Sequence, residues 1–225
     1  MITLIHPSRS RIDQSAFITT KWFKEANNIL DIELIVSVDS DDPQLEQYKM
    51  IYQDDIIINN NRSAVDAINK GAKKANGNIF IVVSDDTDCF NGWDTALLSE
   101  VSGKTDWILK TRDGIQDWII TNPIMDRAYF NRFGYIYYPE YDHQFCDTDL
   151  TCVADILGRK LTSSLMFRHL HDSIKDDLRN KTNATSAQGE KLFLQRYRRN
   201  FDLNVSGKIQ GQGMINWLIA KRQEV

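Results

Sequence analysis

The stretch Ile79-Phe80-Ile81-Val82-Val83-Ser84-Asp85-Asp86-Thr87-Asp88 decides how the rest of the chain is read. Five consecutive apolar residues are what a central strand of a parallel sheet carries, because it is covered on both faces and no alternation survives. In an open α/β sheet, ligands sit in the crevice beyond the carboxyl ends of the strands. Asp85, Asp86 and Asp88 stand there. Three carboxylates so close raise one another's pKa unless a metal ion or a cationic partner compensates them. Hard oxygen ligands suit Mg2+ or Mn2+, which keep waters and share their coordination with phosphates. The competing reading is an acidic turn that caps the next helix.

Upstream of this run the pattern alternates. Ile2–Ile5 reads as a strand, residues 13–28 as a helix with Phe17, Trp22, Phe23 and Ala26 on its apolar face, and residues 32–38 as a strand ending in Asp39. Pro43 opens a short helix to Met50, residues 55–58 supply a third strand, and Ser63 caps a helix that Asn76-Gly77 ends. Such alternation predicts a parallel sheet with right-handed crossovers. Downstream, residues 93–101 read as a helix, and 107–110 and 118–121 as strands about the Asp113-Gly114 turn. Residues 125–133 read as helical, Tyr135–Tyr141 as an aromatic segment, 149–157 as a helix and 161–167 as a strand. A strong helix is expected over 186–201, a weaker one over 214–222, and a mobile loop over 172–188, able to close over a ligand.

A chain of 225 residues supports one well-buried α/β core. Its 42% apolar and 26% charged residues are ordinary for a globular protein and exclude disorder as the main state. The N-terminus is apolar too briefly for a signal peptide or a membrane span. Cys89, Cys146 and Cys152 lack paired metal spacing, which favours reduced thiols and a cytoplasmic setting. Residues 1–150 hold 14 Lys and Arg against 24 Asp and Glu, and residues 151–225 hold 13 against 7, so charges of −10 and +6 make up the net −4. In the basic third, Lys191, Arg196, Arg198 and Arg199 read either as contacts to a polyanion or as a solvated helix face.

Asn69-Lys70-Gly71, followed by Ala75, Gly77, the apolar strand and Ser84-Asp85-Asp86, resembles the nucleotide-sugar-binding half of inverting glycosyltransferases of the family 2 type. These have the A-type, nucleotide-diphospho-sugar transferase fold. Ser84 falls at the first family aspartate, a departure, and Asp86 at the metal-binding one. The resemblance implies an α/β, Rossmann-like domain over residues 1–185, with a nucleotide half to residue 90, an acceptor half over 91–185, and C-terminal helices over 186–225 packed on it. It implies that Pro7, Ser8, Arg9, Asp39, Asn69, Asp85 and Asp86 line the donor, with Asp39 recognising base or ribose and Asp85 facing the ribose. Asp88 is a further metal candidate.

Two later patches extend the likeness. Tyr138–Leu150 is similar to the acceptor-side motif, where a Glu-Asp pair opens a helix and the aspartate deprotonates the acceptor; here Cys146 stands for the glutamate and Asp147 for the base. Capping of the helix by Asp147 or Asp149 is the rival reading. In Phe167-Arg168-His169-Leu170-His171, period two puts His169 and His171 on one face. The family likeness implies that one of them joins Asp86 around Mn2+ or Mg2+. The implied partners are a nucleotide-diphosphate sugar, a UDP-sugar first, and a saccharide or other hydroxyl acceptor, with a base in DNA as a less favoured one. Trp93, Trp118, Tyr137 and Tyr138 are candidate stacking surfaces. The alternatives are a nucleotidyltransferase, which lacks its glycine signature here, and a degenerate transferase fold acting as a binding module.

Overall fold

The computed structural model describes residues 1–116, 118–170, 186–210, 213–214 and 216–218. The elements follow as β1 (Ile2–Pro7), α1 (Ile12–Lys24), β2 (Ile32–Asp39), α2 (Leu45–Tyr52), β3 (Ile56–Asn59), α3 (Ala64–Lys74), β4 (Ile79–Val82) and β5 (Thr87–Asp88). Then come α4 (Trp93–Glu100), β6 (Ile108–Arg112), β7 (Ile124–Asp126), α5 (Arg127–Phe130), α6 (Cys146–Leu157), β8 (Lys160–Met166), β9 (Arg168–His169) and α7 (Ser186–Arg198). Among the described residues, seven strands form one sheet in the order β3-β2-β1-β4-β7-β6-β8, and β5 pairs with β9 in a separate ribbon. All strands of the large sheet run one way except β7, which is antiparallel to both neighbours.

The apolar run of β4 is continuous because alternate residues enter two cores. Phe80 and Val82 pack with α3, α5 and α6 on one face, while Ile79, Ile81 and Val83 pack with α1 and α4 on the other. Period-two geometry thus converts one sequence run into the seam between two layers. Gly77 lies where the chain crosses β1: a Cβ there would stand 2.5 Å from Thr3 Oγ1 and 2.9 Å from Thr3 N. Ser63 caps α3 as expected, its hydroxyl accepting from the Asp66 amide at 3.2 Å.

Two expected elements are replaced. The run 118–121 makes no strand among its described residues; the Ile120 amide instead donates to Thr151 Oγ1 on α6 at 2.9 Å. Residues 125 and 126, expected as the start of a helix, belong to β7. Ile124 and Met125 are fully buried between β4 and β6, so pairing with two strands overrides a local pattern compatible with helix. Asp126 then ends the strand by accepting from the Tyr129 amide at 2.8 Å, which leaves α5 only four residues. No described helix is long and apolar enough to cross a membrane.

Candidate active site

β4 continues to Val83, whose amide donates to Ile5 O at 2.9 Å, and the chain then leaves the sheet. Ser84 Oγ donates to Asp86 Oδ1 at 2.7 Å, and His169 Nε2 faces Asp86 Oδ2 at 3.2 Å. The ribbon makes this meeting possible: Thr87 is in register with His169, and the Leu170 amide donates to Asp86 O at 2.8 Å. An aromatic floor holds the ribbon. The Trp22 indole donates to Thr87 O at 2.9 Å and stacks on Phe167 at 5.3 Å. Burial works to raise the Asp86 pKa, but the hydrogen bonds of His169 and Ser84 overcome it and hold the carboxyl at about 2. Asp86 is therefore a carboxylate at neutral pH.

Asp85 turns the other way. Its Oδ1 accepts from Ser8 Oγ at 3.0 Å and lies 3.3 Å from His6 Nε2, and its Oδ2 lies 3.3 Å from Arg11 Nη1. Ser8 Oγ also meets Tyr48 Oη at 2.7 Å, and the Ser8 amide donates to Ser37 O at 3.1 Å. Pro7 closes β1 in register with Ser37. Arg9 donates to Asp39 Oδ2 at 2.5 Å and Asp41 Oδ1 at 2.6 Å, while Asn61 Nδ2 donates to Asp39 Oδ1 at 2.7 Å. The hydrogen bond to Asp41, with Asp39 adding, holds the Arg9 guanidinium further above its ordinary value. Pro7, Ser8, Arg9, Asp39, Asp85 and Asp86 thus gather at the carboxyl edge of β1, β2 and β4.

Two other expected residues are engaged elsewhere. Asn69 gives its carboxamide to the aromatic segment: Oδ1 accepts from the Ile136 and Tyr137 amides at 2.9 and 3.1 Å, and Nδ2 donates to Tyr137 O at 2.7 Å. It pins α3 to the segment that follows α5. Asp88 pairs with Lys21 of α1 and accepts from the Cys89 amide at 2.8 Å, apart from the Asp86–His169 pair. His171 lies outside the described residues, as do residues 172–185 of the expected loop. Among the described residues no group of three His, Cys, Asp or Glu side chains is gathered around one point.

Helix α6 begins at Cys146, three residues earlier than its pattern suggested, so Asp147 sits in the first turn. Phe145 before it is left-handed, with φ 70°. That conformation costs a non-glycine residue about 1–3 kcal/mol and persists only where packing over-determines it. Asp147 Oδ1 accepts from the Thr148 amide at 2.7 Å, and burial pushes its carboxyl above the usual range against the pull of Thr148 and His143. Asp149 is 2% exposed and is held by Arg196, whose Nε donates to Oδ2 at 2.6 Å, and by the Tyr141 hydroxyl at 3.1 Å.

Arg196 is itself only 2% exposed and lies 3.4 Å above the Tyr138 ring, which removes it from any polyanion-binding surface. Trp93 and Tyr137 are buried in the core, and Tyr138 is taken by Arg196, so none of the three is a free stacking platform.

His143 is the residue the motifs missed. It lies exposed ahead of α6, its pKa is lowered with desolvation as the first cause, and the charges of Asp147, Asp86, Arg11 and His169 act on its ring. One signal existed, since His143 stands only four residues before Asp147 in the sequence. A separate cavity of about 370 Å³, lined by Asn78, Ile79, Leu98, Trp107 and Arg127, opens at the amino end of β4, away from Asp86.

No protein-family model and no curated protein sequence matches the chain. Solved structures do. A mannosyltransferase from Pyrobaculum calidifontis, in complex with GDP-Man and Mn2+, is similar with TM-score 0.63 and 13% identity, over 86% of this chain and 64% of that one. S. aureus TarS 1-349 in complex with UDP-GlcNAc is similar with TM-score 0.59 and 13% identity, over 85% of this chain and 65% of that one. Another S. aureus TarS structure gives TM-score 0.61 and 13% identity, with 75% of this chain covered and 36% of that one. The chain spans less than two thirds of the length of each of these structures. What is shared is the fold, a largely parallel seven-stranded sheet flanked by helices, the A-type nucleotide-sugar transferase architecture that the Asn69–Asp86 motif implied.

Proposed function

We propose that this chain is a metal-dependent inverting glycosyltransferase that moves a sugar from a nucleotide-diphosphate donor to a hydroxyl acceptor. The observation that carries the reading is the ionised Asp86 paired with His169 at the carboxyl end of β4, with Asp147 on the acceptor side and His143 under the charges of both. The site lies where open α/β sheets bind nucleotides. Ser8, Arg9 and Asp39 are the donor-side residues, with Asp85 bracing the Ser8–Arg11 loop from beneath.

A carboxylate and an imidazole are a fitting donor set for a divalent cation, and Mg2+ or Mn2+ with substrate phosphates needs few protein ligands. Asp86 and His169 would hold it. When bound, such an ion neutralises the diphosphate of the departing nucleotide. Asp147 takes the proton of the acceptor hydroxyl as its oxygen attacks the anomeric carbon. The bond from that carbon to the diphosphate oxygen breaks on the opposite face, which inverts the configuration. A carboxyl raised by burial is a stronger base than an exposed one, which suits the role. A saccharide is the favoured acceptor, because the burial of Arg196 weakens the case for a nucleic-acid surface.

The test is a nucleotide-release assay over UDP- and GDP-sugars with Mn2+ or Mg2+, a UDP-sugar first, comparing wild type with Asp86→Ala and Asp147→Asn. Release by wild type and its loss in both variants is the expected result. Donor binding without transfer to any saccharide would favour the binding-module reading, and the absence of donor binding in every metal would sink both. Equal donor binding by Asp86→Ala with and without metal would overturn the metal assignment alone.

A further inference from the structure

The C-terminal segment grips three residues that flank Asp147. At Gln144, the backbone of α7 comes so close that a Cβ on Gly189 would stand 2.4 Å from the Gln144 carbonyl oxygen. At Phe145, the left-handed residue is wedged between Phe193 of α7, 5.9 Å between ring centroids, and Trp217, 5.7 Å away. At Asp149, Arg196 reaches both carboxylate oxygens, with Nε at 2.6 Å and Nη2 at 3.3 Å. Its remaining terminal nitrogen donates to Asp202 at 3.1 Å, in a turn where Asn200, Phe201 and Asp202 have φ of 53°, 52° and 60°.

A buried ion pair is a poor way to gain stability, since well-packed apolar residues of similar volume often serve as well. What a two-pronged guanidinium supplies that a hydrocarbon does not is orientation: two parallel donors fix the plane and direction of the carboxylate they hold. Here the carboxylate is two residues beyond Asp147, on the first turn of the same helix.

We infer that Arg196 is a positioning residue: through Asp149 it sets the direction in which α6 presents Asp147, so that α7 and the turn that follows it belong to the working site. This rests on the reading of Asp147 as the base. Arg196 is 2% exposed and spends its donors on Asp149 and Asp202. Its role is exerted on the angle of attack, where small misplacements of a catalytic group cost rate rather than binding.

The experiment compares three variants of the full chain, Arg196→Met, Arg196→Lys, and the pair Arg196→Met with Asp149→Leu, which removes both buried charges and keeps the volume filled. Each is measured for kcat, donor KM and thermal midpoint. Arg196→Met is expected to lower kcat at least 30-fold with donor KM within twofold, and Arg196→Lys to fall between it and wild type. The charge-free pair decides if the single variant does not fold. A thermal midpoint near wild type with kcat still low supports positioning, and a kcat restored to wild type shows that Arg196 only neutralised Asp149 and overturns the inference. A wild-type chain that transfers no sugar sinks the reading of Asp147 instead, and the wild-type measurement reveals it.

Discussion

Asp86 Oδ2 and His169 Nε2 face each other at 3.2 Å although 83 residues separate them in the chain. The ribbon of β5 and β9 makes the contact, by placing Thr87 and His169 in register and fastening Asp86 O to the Leu170 amide. A carboxylate and an imidazole far apart in the chain thereby share one site.

The first prediction concerns pH. Asp86 titrates at about 2, below the ordinary 3.8, because the bonds of His169 and Ser84 outweigh burial. A depressed carboxyl stabilises the fold above its unfolded pKa, and that stability is lost as pH falls from about 4 through about 2, a contribution of about 2 kcal/mol at most. His169→Ala is expected to move the Asp86 midpoint upward, since burial then acts against fewer opposing bonds. Carbon-detected NMR titration of the side-chain carboxyl reads this, and an unmoved midpoint would show that the pair does not set the pKa.

Asp88 provides a contrast with its neighbour. Its partner is Lys21, a half-exposed pair of the kind worth roughly 0.2–1 kcal/mol. Asp88→Asn is expected to leave Mn2+ affinity in the presence of donor within twofold, while Asp86→Asn lowers it at least tenfold. Calorimetric titration of both variants checks this, and similar losses in the two would return Asp88 to the metal site.

Asn69 is predicted to matter for stability rather than for donor binding. Asn69→Ala strands two buried amides and one carbonyl of Ile136 and Tyr137. At about 1 kcal/mol or more for each group left without a partner, the expected loss is roughly 3 kcal/mol. Nucleotide affinity should stay within twofold under conditions where the variant is folded. A selective loss of nucleotide binding with an unchanged denaturation midpoint would restore the donor-side role.

Asp147→Asn is expected to lower kcat by a factor of about 10²–10⁴ with little change in donor KM, the range that general-base removal produces. Because burial raises the Asp147 pKa, the acid limb of the kcat profile should lie above the usual carboxylate range, with activity falling as pH drops through it. An acid limb at or below the ordinary aspartate value would assign that limb to another group.

The first half of the chain was legible because each of its signals is local. A strand covered on both faces must be apolar throughout, as Ile79–Val83 is, and Ser63 with its periodic helix marks α3 whatever lies around it. The second half was less so. β7 takes its strand character from β4 and β6, and Ile120 gives its amide to Thr151 of α6 rather than to a neighbouring strand, choices that no window of sequence contains.

By itself, then, the sequence determined the alternating α/β architecture of the first half and the delivery of Asp85 and Asp86 to a sheet edge, since continuous apolarity and chain order require no distant partner. Tertiary structure alone decided where those carboxylates point and what they are worth. Asp85 turns under the Ser8–Arg11 loop, Asp86 meets His169, Asp88 turns to Lys21, Asn69 is spent on a backbone and Arg196 is buried on Asp149. The physical reason is the same in each case. A polar side chain settles where desolvation is offset by a specific partner, and for each of these residues at least one partner is supplied by another element of the fold.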